Sequence, residues 1–507
     1  MPSIAVPLKN GRSFSRISAL SMQEAPLNSG RTAPSVASGD KILGNVLSLS
    51  GGDVLSRVIA FAGTAYLTRK LGPVGFGVIG FALALRSYFA LATTGGSDSM
   101  AAREVARRPS DAPSIAASVI LVRLVFALLA MGAMAMIAWL IDKPLATKLV
   151  IVLSGLSFLT LAVDTSWAYK GLERNRPVAI SMILGQTLFV VVVLLFVRGP
   201  GDVVYVPVAQ FTGEVVAASV LTMLLLRVGT VKWHFSEGLR ILRSSGNLLA
   251  SQILRTLIFN FDVLLLGLLL GEKPVGLYVA PYRFCFLLLA IAAAIQASYL
   301  PAFTRAAAVG PAALGEITKR AIAFSAAVSA PLVVGGMVVA RPLLWTLFGP
   351  DYVDGTGAFR LLILSIGLIF LHGHLHSIFL VRDQTFKQML IIAGGTALNI
   401  VLNFLLIPVW GIAGAAASTV AAEGLILVLA WLAVRAMGVC FRSSAILRPV
   451  LAAAVMGATL LALRTAENLA LSVTVGAAVY AAALALLRGI PKDVRLGLWT
   501  SKAEGPE

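Results

Sequence analysis

"LSRVIAFAGTAYLTRKLGPVGFGVIGFALALRSYF", residues 55–89, is an apolar run interrupted once, by G-P-V-G at Gly72–Gly75, and then resumed. With its flanks it gives two apolar stretches, near 46–68 and 76–98. Each is about as long as the roughly 20 residues a helix needs to cross a hydrocarbon core of about 30 Å. Arg57 and Arg86 stand inside those stretches.

The pattern recurs along the chain. Further spans are expected near 114–140, 147–168, 177–197, 205–226, 246–270, 276–300, 320–340, 358–380, 388–407, 411–434, 446–463 and 469–487, which makes 14 in all. The 507 residues are 58% apolar and 13% charged, with a mean hydropathy of +0.90. Soluble domains are roughly 45–50% apolar and 25% charged, so the chain is a membrane protein. Runs of this length, rather than alternating ten-residue segments, exclude an outer-membrane barrel. The expected fold class is therefore an all-α polytopic membrane protein.

The first residues differ. Positions 1–42 are rich in Ser, Pro, Gly and Arg without an apolar block, and are expected to form a disordered cytoplasmic tail rather than a cleaved signal. A second cytoplasmic tail is expected at 489–507. Cys285 and Cys440 are the only cysteines, too few for a disulfide framework.

Orientation follows from the basic residues. With a cytoplasmic N-terminus, the two tails and the loops on that side hold 27 of the 41 Lys and Arg, and the opposite side holds eight: Arg69, Lys70, Lys143, Lys148, Arg198, Lys273, Arg341 and Arg464. That bias places both termini in the cytoplasm. It also explains most of the net charge of +18 as a topology signal and a surface for anionic lipid headgroups, not a nucleic-acid stripe. Loops after residue 41 stay within about twenty residues, leaving no room for a soluble catalytic domain. A transporter or channel is expected, and an enzyme such as a membrane glycosyltransferase is not.

The chain also repeats itself. "GPVGFGVIGFALALR" at 72–86 and "KPVGLYVAPYRFCFL" at 273–287 share P-V-G 201 residues apart. "GLERNRPVAI" follows span 4 and "LVRDQTFKQML" follows span 10; Arg174 precedes Glu214 by 40 residues, and Arg382 precedes Glu423 by 41. Both carboxylates fall near the middle of their spans. The expectation is two pseudo-symmetric six-helix lobes, 43–227 and 246–436, followed by two C-terminal helices at 445–488, with a site between the lobes.

Charges inside spans are costly, about 2.5–3.5 kcal/mol each at a helix centre, and face a cavity or a partner. Arg57, Arg86, Arg123, Arg255, Arg283 and Arg360 are such residues. Arg57, Arg86, Arg255 and Arg283 lie on the first two helices of each half, which suggests one cationic cavity suited to an anion; Arg123 and Arg360 read as structural or interfacial. The alternative is neutralisation in pairs, Asp53 with Arg57 four residues on, and Asp262 two turns beyond Arg255. Coupling to H⁺ or Na⁺ would need buried acids, for which Glu423, Asp53, Asp262 and Glu214 are the candidates. "LIFLHGHLHSIFL", 368–380, adds His372 and His376 on one helical face, with His374 opposite, so the three do not converge on a metal.

With these features in view the chain resembles the Wzx-type polysaccharide flippases of the multidrug/oligosaccharidyl-lipid/polysaccharide (MOP) superfamily, related to the MATE exporters and lipid II flippases. The resemblance rests on residues 55–85, "GLERNRP" at 171–177, "PVGLYVAPYRF" at 274–284 and "LNIVLNFLLIPVWGIAGAAAST" at 398–419. It implies flipping of undecaprenyl-diphosphate-linked oligosaccharide across the bacterial inner membrane by alternating access, for exopolysaccharide, capsule or O-antigen export, with polymerase or export proteins as partners. Arg57 in "LSRVIAF" and Arg283 in "YVAPYRF" match arginines of the lipid II flippase patterns, but Gly63 and Thr64 follow where that pattern has a second arginine, which favours the polysaccharide branch. A cation-coupled multidrug exporter and a transport-inactive scaffold are the alternatives; the first would favour an acidic pocket, and the second needs no charge in mid-membrane.

Overall fold

The computed structural model describes residues 39–487 apart from 228, 442–443 and 464–467. By its contacts the chain divides after residue 43, and the architecture is that of the described residues from Gly44 onward. The expected tails therefore lie outside the described residues, except that 39–42 already belong to the first helix.

Helices joined by short turns make up the described residues, with no strand among them. In a bilayer the backbone must satisfy its own hydrogen bonds, and a helix does so within one segment. Among the described residues, 11 helices are long and apolar enough to cross a membrane.

Two of these are interrupted. α1 (Gly39–Thr94) breaks at Gly72, where φ is 65°, and Pro73 follows. α15 (Thr385–Ala436) breaks at Gly411, φ 55°, three residues after Pro408. A left-handed φ is cheap only for glycine, and a proline beside it has no N–H with which to continue the helix. The first break falls between the stretches expected as spans 1 and 2, and the second at the first residue of the stretch expected as span 12.

Between α1 and the middle of the chain lie α2 (Asp98–Arg107), α3 (Ala112–Leu140), α4 (Leu145–Ser154), α5 (Ser157–Val163), α6 (Ser166–Gly171), α7 (Asn175–Phe196), α8 (Tyr205–Leu226) and α9 (Phe235–Arg243). The stretch 147–168, expected as one span, is not one helix but α4, α5 and α6. The second break is local chemistry: Asp164 leaves the helix at ψ 125°, and its carboxylate accepts from the Ser166 backbone N–H at 3.1 Å and hydroxyl at 2.6 Å. α2 and α9 are short polar helices in segments expected to be loops. They pack through Arg108, which donates to Glu237 at 2.7 Å and also contacts Glu104.

The second half holds α10 (Gly246–Leu269), α11 (Glu272–Val309), α12 (Pro311–Val338), α13 (Ala340–Phe348) and α14 (Thr356–Val381), then α15, α16 (Ser444–Ala462) and α17 (Leu469–Leu486). α14 packs along α15 and α11, α12 packs on α14 and α16, and α10 packs on α15. One apolar core runs from Leu67 and Phe81 on α1 through Tyr278 on α11 to Phe370 on α14. Leu128, Trp139, Leu194 and Trp410 point outward with more than a third of their surface bare, which suits a lipid-facing wall and no aqueous one.

The two P-V-G copies meet. A β-carbon on Gly80 would touch Val275 and Val279, and Gly77 and Gly276 lie still closer to the opposing backbone. Nearby, Lys143 donates to the Gly267 carbonyl at 2.8 Å and pairs with Glu272 at 3.2 Å. Tyr352 donates to the Thr68 carbonyl at 3.3 Å, and Arg69 donates to that of Thr346. This end of the molecule is thus joined across the halves by small residues, polar bonds and the ring pair Phe61–Phe348 at 6.1 Å.

Candidate functional site: a central cavity with four arginines

α1, α4, α5, α7, α8, α10 and α11 line a cavity of about 660 Å³, and Arg57, Arg86, Arg255 and Arg283 are all among its lining residues. Residues 226 positions apart in the chain thus share one wall system. Gln210 and Asn260 add amide groups. One side is aromatic: Tyr282 and Phe286 on α11 lie 4.7 Å apart, and Phe259 on α10 lies 5.7 Å from Phe286.

The arginines are not equivalent. Arg57 Nε donates to Asp53 Oδ2 at 2.8 Å, one helical turn away, with both side chains more than a third exposed. Arg86 Nη1 donates to Glu214 Oε1 on α8 at 3.1 Å. Among the described residues, Arg255 and Arg283 make no ion pair with a carboxylate. The cavity therefore carries two compensated guanidinium groups on α1 and two uncompensated ones on α10 and α11. In a low-dielectric interior that excess attracts an anion, and the planar fork of arginine matches phosphate or carboxylate oxygens in pairs.

The other two arginines lie elsewhere. Arg123 is fully buried, donates to Asp98 at 2.6 Å and stands 5.8 Å from the Trp167 ring. Arg360 donates to the Met337 carbonyl at 3.0 Å. Neither is among the cavity-lining residues.

Of the acids, Asp53 and Glu214 accompany the arginines and the rest do not. Asp262 does not neutralise Arg255, as the two-turn spacing suggested. It is fully buried, accepts from the Val263 N–H at 2.8 Å, and accepts from the Tyr278 hydroxyl of α11. A shared helical face was not enough, because a neighbouring helix supplied a closer donor. Glu423 is buried and bonded to His372 Nε2 at 2.8 Å.

The three histidines diverge. His374 bonds Ser325 at 2.7 Å and packs its ring against Tyr299 and Phe303, inside the protein rather than at a lipid boundary. His372 and His376 share a face, ring centres 5.1 Å apart, and His376 Nδ1 meets Gln388 at 2.8 Å. Among the described residues no three His, Cys, Asp or Glu side chains gather as a metal site.

Long-range pairs such as Arg86 with Glu214 were missed by the sequence reading. A parallel repeat places carboxylates in corresponding spans but does not say which arginine each one meets.

The fold is a polytopic helical bundle around a cavity lined by four arginines, and solved structures share it. The structure of the lipid II flippase MurJ in an inward closed conformation superposes with a TM-score of 0.73 at 12% identity, covering 88% of this chain and 99% of that one. A MOP superfamily transporter from Pyrococcus furiosus superposes at 0.54 with 15% identity, covering 80% and 100%. An outward-facing MATE multidrug transporter gives 0.53 with 16% identity, covering 78% and 94%. Comparison with curated proteins finds no significant sequence match. The polysaccharide biosynthesis protein family model matches residues 42–307, more than half the chain, and the chain belongs to that family.

Proposed function

We propose that this protein flips a polyprenyl-diphosphate-linked oligosaccharide from the cytoplasmic to the periplasmic leaflet of the bacterial inner membrane, for export of exopolysaccharide, capsule or O-antigen. The observation that carries the reading is the convergence of Arg57, Arg86, Arg255 and Arg283 on one cavity. A diphosphate presents two adjacent anionic groups, and the two uncompensated arginines offer a matching excess of charge. Membership of the polysaccharide biosynthesis family supports a glycan as cargo.

In this reading the chain crosses the membrane 14 times, counting the two parts of α1 and of α15 separately and adding the shorter apolar helix Ile446–Ala462, with both termini cytoplasmic. Two six-helix lobes exchange access across the central cavity. The meeting of the P-V-G segments supports closure at the periplasmic end, since Arg69, Lys143 and Lys273 lie on the basic-poor side. The arginines bind and orient the diphosphate, and the aromatic wall carries apolar contact with the lipid or stacking with sugar.

Coupling to H⁺ or Na⁺ is proposed at the buried acids of the second half. Asp262 offers a carboxylate at α10, and in α15 the Asn403 side-chain oxygen is buried without a partner among the described residues. Glu423 with His372, and His376 beside it, form the proton-handling alternative.

The test is a deletion strain. Cytoplasmic-side accumulation of polyprenyl-diphosphate glycan, with loss of the exported polysaccharide, is expected; unchanged export without accumulation sinks the proposal. Arg255→Ala is expected to abolish complementation at normal membrane abundance.

A further inference from the structure

The four arginines differ in what stands behind them, and Arg86 is the one with an acid held in place for it. Arg86 lines the central cavity and also a side cavity of about 290 Å³ between α1, α5 and α8. Glu214 lines that side cavity and is not among the residues lining the central one. Its Oε1 accepts from Arg86 Nη1 at 3.1 Å and from Gln210 Nε2 at 2.9 Å, and its Oε2 lies 2.8 Å from the Thr160 hydroxyl, whose single proton is shared with the Ser157 carbonyl, also at 2.8 Å. Among the described residues, Arg86 Nε and Nη2 donate to nothing.

We infer that Glu214 is a positioning residue that parks Arg86 against the wall and competes with the anionic cargo for it. The inference rests on the cavity being an anion site. A carboxylate and a phosphate oxygen use the same edges of a guanidinium fork, so binding at one edge excludes the other. When a phosphate draws Arg86 inward, Glu214 keeps the Gln210 donor and can take the Thr160 proton from the Ser157 carbonyl, so it is not left as a bare charge, which would cost far more. When the phosphate leaves, Glu214 takes Arg86 back. Binding is thereby weakened and release is hastened, as a carrier requires: cargo held equally tightly throughout the cycle gains occupancy and loses turnover.

The Asp53–Arg57 pair is a poorer competitor. It is local to one helix and both side chains are more than a third exposed, so solvent screens it. Both Arg86 and Glu214 are only one quarter exposed, and they come from helices 128 residues apart, so their distance changes if α1 and α8 shift.

The experiment uses full-length protein in lipid nanodiscs with inorganic pyrophosphate as the probe, read by calorimetry, together with the rate of glycan export in complemented cells. Glu214→Gln keeps the size and the Thr160 contact but removes the charge. It is expected to bind pyrophosphate about tenfold more tightly, a shift of roughly 1.4 kcal/mol, and to export more slowly. Glu214→Asp draws the carboxylate back by one methylene and is expected to gain several-fold, which carries the test if the Gln variant fails to fold. Arg86→Gln combined with Glu214→Gln is expected to lose the gain. Unchanged or weaker binding in the single variants, or a gain that survives without Arg86, overturns the inference. A wild-type protein that binds no pyrophosphate overturns the anion-site reading itself, and the inference with it; the two failures are thus separable.

Discussion

Gly276 lies flat on the carbonyl of Pro73: a β-carbon at 276 would stand 1.9 Å from that oxygen, and one at 77 would stand 1.8 Å from the carbonyl of Glu272. No side-chain adjustment relieves an overlap with backbone, so Gly276→Ala is expected to push the two P-V-G segments apart. Overpacking of this kind costs about 1–3 kcal/mol, enough to make separation of this end roughly ten times more frequent. Cys285, on the same helix and fully buried, reports it. In a Cys440→Ser background, alkylation of Cys285 by a membrane-permeant maleimide should accelerate about tenfold; an unchanged rate would show that these contacts do not hold the end closed.

Arg255 and Arg283 should tolerate lysine poorly. Lysine keeps the charge but replaces a fork with a single point, and it cannot take two phosphate oxygens in one plane. Without a carboxylate partner among the described residues, neither arginine has a second task to preserve. Arg283→Lys is expected to lower export at least about tenfold at normal membrane abundance, and Arg283→Ala to abolish it. Export by the lysine variant at the wild-type rate would reduce the role of the cavity to bulk charge.

Arg123 should behave in the opposite way. It is buried outside the cavity, between Asp98 at 2.6 Å and the Trp167 ring. Removing one member of such a pair costs about 3–5 kcal/mol where both are buried, and less here because Asp98 is more than half exposed. Arg123→Leu is expected to lower the thermal midpoint and the membrane abundance of the protein, while export per surviving molecule stays unchanged. A loss of export at full abundance would contradict a structural role.

Arg108 gives a pH test with a defined sign. The Glu237 and Glu104 carboxylates hold its guanidinium above its ordinary value. A raised value stabilises the fold fully at any pH below the unfolded value and loses that contribution only above the still higher folded value. Between about pH 6 and 9 the contribution is therefore constant. Arg108→Gln should lower the thermal midpoint by the same small amount across that window, worth roughly 0.2–1 kcal/mol for a pair this exposed, and added salt should shrink the difference. A gap that widens between pH 6 and 9 would assign the effect to another group.

What the sequence disclosed follows from what each signal measures. Apolar length placed α8 at 205–226 and α3 within two residues of its start, because burial in lipid depends on the run itself. The same signal joined α4, α5 and α6, since Asp164 breaks the backbone by a hydrogen bond that hydropathy does not register. It passed over α2 and α9, whose polar faces give no apolar run. Arg57, Arg86, Arg255 and Arg283 stood out because a charge in such a run is expensive. Their partners were legible only for Asp53, one turn from Arg57. Asp262 went to Tyr278 and Glu423 to His372, contacts between separate helices that no local spacing encodes.

His372 and Glu423 provide the last prediction. Their 2.8 Å bond is buried, and the other ring nitrogen of His372 has no partner among the described residues. Replacing either residue alone leaves a buried polar group unpaired, which costs about 1–3 kcal/mol, whereas replacing both removes donor and acceptor together. The double variant His372→Leu with Glu423→Leu should therefore be more stable than the sum of the single losses, with a coupling of roughly 0.5–3 kcal/mol in detergent-solubilised protein. Stability alone does not separate packing from proton handling. His372→Gln with His376→Gln keeps hydrogen-bonding side chains on that face of α14 but removes its titratable rings. If this pair handles protons, the Gln variant should lose the pH dependence of export. If the variant exports at the wild-type rate with the wild-type pH profile, the two histidines serve packing alone, and coupling is left to the acids, among them Asp262 with the Asn403 oxygen that has no partner among the described residues.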